Sequence, residues 1–150
     1  MSSYKESGVD IDAANNAILR AKRSIEETHE HAGVKVLSGI GGFSGIIEHA
    51  DGTASGYSTD GTGGKAALAA FLNRLDGIGT DLVNANVNDI AVTGLEPKLF
   101  LDYIGMGKIH PEKFARIMDG IVLACLASQV ALIGGETAEL PVLYEEHEFE

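Results

Sequence analysis

Thr53-Ala54-Ser55-Gly56-Tyr57-Ser58-Thr59, then Asp60-Gly61-Thr62-Gly63-Gly64-Lys65, then Ala66-Ala67-Leu68-Ala69-Ala70-Phe71-Leu72 read in that order as strand, glycine loop and helix. A glycine loop that opens a helix is an anion site in outline, because small residues let backbone N–H groups approach phosphate oxygens and a lysine adds a point charge. It is not a Walker A loop: that motif needs Gly six positions before its Lys and Ser or Thr after it, and Thr59 and Ala66 stand there. Taken alone, the loop is better read as an ordinary glycine turn with a surface lysine.

Upstream, Asp12 is placed to cap a surface helix whose apolar residues Ala14, Ile18, Ala21 and Ile25 recur at helical spacing until Gly33 ends it. Ser38 to Gly45 is glycine-rich enough to make packed structure costly and suggests a mobile flap. Ile46-Ile47-Glu48 starts a strand that turns at Asp51-Gly52 into the strand of the opening stretch, a hairpin.

Downstream, Thr80 to about Val92 is expected to be a helix capped by Thr80. Val83, Val87 and Ile90 fall on one side of it, and Asp81, Asn84 and Asn88 on the other. Leu99 to Ile104 is a strand, and Pro111 opens a long helix with Phe114, Ile117, Met118, Ile121, Val122 and Cys125 as its apolar stripe. Val130 to Ile133 is expected to be a short buried strand that Gly134-Gly135-Glu136-Thr137-Ala138-Glu139 leaves as a loop. Interleaved strands and helices give an α/β (α+β) class. No repeat or Pro-rich linker marks an internal boundary.

The composition fits this reading. With 150 residues, 45% of them hydrophobic, there is enough apolar material for one domain without disulfide or metal staples. Net charge is −11 and the basic residues are scattered, which argues against nucleic acid and anionic membrane as partners. An acidic protein that binds a nucleotide needs backbone donors and a divalent cation. Met1 to Glu6 has no apolar signal core and Cys125 is the sole cysteine, so a cytoplasmic protein is expected. Glu145, Glu146, Glu148 and Glu150 read as a solvated tail, His29, His31, His49 and His147 as surface residues without metal-ligand spacing, and His110 as a turn residue before Pro111. Cys125 reads as core.

Hard oxygen ligands stand at element ends: Asp60, Asp81, Asn88, Asp89, Glu136 and Glu139. Magnesium takes such carboxylates together with substrate phosphates and water. An acid at a helix start is more often a partner of the helix dipole, so each feature is weak alone and gains weight in combination.

At the level of motifs, the chain resembles the phosphoribosylformylglycinamidine cyclo-ligase family, also called aminoimidazole ribonucleotide synthetases. Tyr4 to Ile11 is similar to the family's opening signature, Ile40-Gly41-Gly42-Phe43 to its glycine flap and Ser58 to Lys65 to its nucleotide loop. Gly79 to Val83 with Val87-Asn88-Asp89 resembles its metal helix, and Phe100-Leu101-Asp102-Tyr103 and Gly134 to Pro141 complete the set.

The resemblance implies ATP-dependent ring closure in purine biosynthesis. ATP phosphorylates the formyl amide oxygen of formylglycinamidine ribonucleotide, and an internal amine then displaces phosphate. It also implies ATP and Mg²⁺ as cofactors and a homodimer whose sheets pair into a barrel. Carried onto this chain, Gly41, Gly42, Asp60, Gly61, Gly63, Gly64, Lys65 and Asn88 are candidate nucleotide contacts, and Asp60, Asp81 and Glu136 candidate metal ligands. Where the family usually has Val and Thr, Thr62 and Gly64 stand here, which removes a hydroxyl near the phosphates. Family members continue into a second domain, so residues 1–150 are expected to be the ATP-binding and dimerisation half, inactive alone. Rival readings are another enzyme of the same ATP-dependent superfamily or a non-catalytic dimerisation module.

Overall fold

A computed structural model describes residues 4–150; the stretch before Tyr4, read above for a signal core, lies outside them. The described chain divides into two compact units, one ending at Tyr57 and one starting at Ser58, although no compositional break marks the division.

In the first unit, helix α1 spans Ile11–Ala32 and no residue of it is buried. Its cap is Asp10, two residues earlier than expected: the Asp10 carboxylate accepts from the Ala13 amide at 2.9 Å. Asp12 instead falls in the first turn, where an acid complements the helix dipole. Gly33, at φ 65°, ends the helix in the left-handed conformation that glycine adopts without steric cost.

Three short strands, β1 (Lys35–Ser38), β2 (Gly45–Glu48) and β3 (Ala54–Tyr57), pair antiparallel in that order. The hairpin between β2 and β3 turns at the expected Asp51-Gly52, with Asp51 accepting from both the amide and the hydroxyl of Thr53. Strand β1 carries no periodic signal of its own; pairing with β2 makes it a strand. The glycine-rich segment between them holds Gly41 at φ 103° and buries Ser44.

The second unit contains α2 (Gly64–Leu72), α3 (Ile78–Ala91), β4 (Leu99–Met106), α4 (Pro111–Ala127) and β5 (Ala131–Glu139). Strands β4 and β5 are parallel and joined through α4, a βαβ unit. Alternation along β4 sends Phe100, Ile104 and Met106 into a core with Ile117, Ile121, Ala124 and Cys125 of α4 and Ile78 and Val83 of α3. The odd positions Leu99, Leu101 and Tyr103 stay 64%, 65% and 47% exposed on the opposite face.

Several expectations are corrected here. Helix α3 starts at Ile78, so Thr80 lies inside it and donates to the Gly120 carbonyl at 3.2 Å instead of capping. Val122 is exposed, and Ala124 takes its place in the buried stripe. Gly134 to Glu139 is not a loop: β5 runs on to Glu139, mostly exposed, because the parallel partner β4 supplies the backbone hydrogen bonds. The acidic tail is not wholly solvated. Phe149 is buried, and Gly105 and Glu150 exchange backbone hydrogen bonds of 3.1 and 2.8 Å against β4.

Helices α3 and α4 touch backbone to backbone. A Cβ on Gly79 would lie 2.3 Å from the Ile117 carbonyl oxygen and 2.6 Å from the Ile121 nitrogen, while one on Gly120 would meet the Gly79 Cα at 3.3 Å. Overpacking of this kind costs about 1–3 kcal/mol or more. Gly79→Ala should therefore lose about 3 kcal/mol in urea unfolding and Gly120→Ala less; equal stability of Gly79→Ala and the parent chain would refute the close crossing.

Candidate functional site

The segment from Ser58 to Lys65 runs antiparallel along α3 and is tied to it at three levels. The Ser58 hydroxyl donates to Asp89 at 3.1 Å. The Asp60 amide donates to the Asn86 side-chain oxygen at 2.9 Å, and the Asn86 side-chain nitrogen donates back to the Asp60 carbonyl at 3.1 Å. Lys65 pairs with Asp81 at 3.0 Å. Leu82, Asn86 and Asp89 share a helix face by their spacing of four and three, so the loop lies along one edge of α3. Asn86 also bonds the Leu82 carbonyl at 3.0 Å, which locks its rotamer.

At Gly63 the backbone takes φ 57°, ψ −145°, a conformation restricted to glycine, and α2 then starts without a side-chain cap. The Lys65–Asp81 pair is exposed on both sides, 60% and 49%, and contributes at most about 1 kcal/mol. A competing anion can therefore draw the ammonium away at little cost.

Beside the loop lies a cleft of about 560 Å³, reached by Asp60, Gly61 and Thr62 from the loop, Gly79 and Asn86 from α3, and Asp102 from β4. Asp102 is half-buried and breaks the apolar core-facing row between Phe100 and Ile104. Burial pushes its carboxyl above the ordinary aspartate range, and burial, with a smaller contribution from the Asp102 charge, raises the Cys125 thiol. Gly135 on β5 is shaped around it: a Cβ there would lie 2.2 Å from a carboxylate oxygen of Asp102 and 2.5 Å from its carbonyl oxygen.

The structure places the expected site residues unequally. Asp60 and Gly61 line the cleft, Gly63, Gly64 and Lys65 carry the loop into α2, and Asp81 faces Lys65. Asn88 is exposed on α3 and Glu136 exposed on β5 opposite Tyr103. Gly41 and Gly42 belong to the first unit. Among the described residues no three or more His, Cys, Asp or Glu converge to hold a metal ion by themselves. Asn86 and Asp102 join the site without being among the residues expected from the sequence. Their sequence signals are an amide in helical phase with Leu82 and a lone acid at a core-facing strand position.

A family model described as "AIR synthase related protein, N-terminal domain" matches residues 41–148. Proteins named phosphoribosylformylglycinamidine cyclo-ligase match nearly the whole chain. The one from Geobacillus kaustophilus (strain HTA426) is 46% identical over 155 residues, 99% of this chain and 43% of that protein. The one from Syntrophus aciditrophicus (strain SB) is 44% identical over 154 residues, 99% of this chain. The one from Gloeothece citriformis (strain PCC 7424) is 41% identical over 154 residues, 98% of this chain. The chain thus spans less than half the length of these relatives, 43% in each case.

Two outcomes test this geometry. Asn86→Ala should cost about 1–2 kcal/mol and speed hydrogen exchange at the Asp60 amide; unchanged exchange there would mean the loop is held otherwise. Because burial raises the Asp102 pKa in the folded state, the ionised form weakens the fold above that value, and the penalty fades as pH falls through it. Asp102→Asn should accordingly raise the urea midpoint near neutral pH and have a shrinking effect toward about pH 4; a pH-independent effect would contradict the burial.

Proposed function

The chain belongs to the AIR synthase related family through its N-terminal domain, and from that membership we propose that it binds ATP with Mg²⁺ and supports cyclisation of formylglycinamidine ribonucleotide to aminoimidazole ribonucleotide. The observation that carries the reading is the loop from Ser58 to Lys65 clamped along α3, with its glycines free of side-chain bulk and a lysine loosely held by Asp81. Such a loop offers backbone donors and one mobile cation to a polyphosphate while the scaffold stays rigid.

Asp60 and Asp81 suit magnesium in the chemistry of their donors, being exposed carboxylates next to the loop. One oxygen of Asp60 accepts from the Gly61 amide at 2.8 Å and orients the group. Magnesium needs one or two protein carboxylates and completes its shell with phosphate and water, so no preformed three-acid cage is required. When bound, the ion offsets charge on the transferring phosphoryl group. With ATP bound, Lys65 would be free to leave Asp81 for a phosphate oxygen, and the loop amides would donate to the phosphates. By resemblance, Glu136 and Asn88 are further candidates for this site.

A second copy of the chain is the proposed partner. Leu99, Leu101 and Tyr103 form an apolar row on the face of β4 away from the helices, and all three are exposed. An uncovered strand face of this kind calls for a covering surface, and sheet-to-sheet pairing in a homodimer provides one.

Isothermal titration of ATP should give heat that depends on Mg²⁺ and is lost in Asp81→Ala; heat indifferent to both would remove the site. Light scattering should show a dimer that Leu101→Glu converts to monomer, whereas a monomeric parent chain would remove the partner.

A further inference from the structure

We propose that Asp102 is the anchor in the cleft for a planar cationic N–H donor, an amidinium group, with Gly135 kept bare to seat the carboxylate. The inference deepens the proposed function and rests on it, since the ribonucleotide of that reading carries an amidine.

Three observations converge on Asp102. It occupies a core-facing position on β4 between Phe100 and Ile104, which are 7% and 2% exposed, where an apolar side chain would serve the fold better. No side chain among the described residues hydrogen-bonds its carboxylate, so it joins no structural ion pair of the kind that Asp76 makes with Arg116. The neighbouring strand leaves no room for a Cβ at Gly135, so the carboxylate lies over the backbone of β5 and opens toward the cleft.

The surroundings select the ligand. Phe100, Ile104, Ile117 and Phe149 give the cleft apolar walls, which strengthen attraction to a cation and accept a flat group. Two parallel N–H bonds from an amidinium match two carboxylate oxygens, as a guanidinium does. Burial already disfavours the bare carboxylate, which adds to the gain on meeting a cation.

Affinity of the 150-residue chain for formylglycinamidine ribonucleotide should be compared with affinity for its neutral carboxamide isostere, in which C=O replaces the amidinium carbon and nitrogen. A charged hydrogen-bond pair corresponds to a preference of about tenfold to a hundredfold for the amidine. Asp102→Asn should abolish that preference and leave carboxamide affinity within about twofold. In the parent chain, the ¹³Cγ resonance of Asp102 should move with the amidine and stay still with the carboxamide, a readout that needs no variant to fold. A preference that survives in Asp102→Asn, or an unmoved Asp102 signal with the amidine bound, overturns the anchor while the substrate reading stands. Failure of the parent chain to bind either ribonucleotide overturns both.

Discussion

The crossing of α3 and α4 at Gly79 and Gly120 is the contact on which the rest of the second unit depends. With no side chain between the backbones, α3 sits close enough for Thr80 to bond the Gly120 carbonyl, and this fixes the rotation of α3 about its axis. One face then buries Ile78 and Val83, which leaves Asp81, Asn86 and Asp89 directed at the loop from Ser58. The bidentate pair of Arg116 with Asp76, at 3.0 and 2.9 Å, ties the turn before α3 to α4 as well. Position of the loop is therefore a property of helix packing, while Gly63 supplies the backbone conformation that carries the loop into α2.

The second constraint is the parallel pair β4 and β5. It accounts for the elements that local signals misjudge. Gly134 and Gly135 are poor strand formers, and a reading by composition makes them a loop. In the fold they are strand because β4 supplies partners and because the missing side chain of Gly135 admits Asp102. The same edge orders the residues around Phe149, whose acidic neighbours look like tail.

Much of the architecture was nevertheless legible. The Asp51-Gly52 hairpin, the helix after the glycine loop and the helix opened by Pro111 are set by residues acting on their own backbone, through turn chemistry, a glycine-only conformation at Gly63 and fixed φ. Cys125 as a core residue followed from the helical phase of its neighbours. The start of α3 carries no local signal because its first turn is held by tertiary contact, not by a cap. Likewise, Asn86 and Asp102 acquire meaning only from what faces them, one a loop backbone and the other a cleft. The motif around Asp102 could be quoted from the sequence, but the burial of one acid within it could not.

The loose pairing of Lys65 with Asp81 has a consequence for ionic strength. In the proposed site, an ammonium already paired with a neighbour would give up one screened contact to make another, so added salt would weaken the resting and the engaged arrangement together. The slope of affinity against salt at this loop would then understate the charge that moves, and a shallow slope would reflect an exchange of partners instead of a lack of electrostatics.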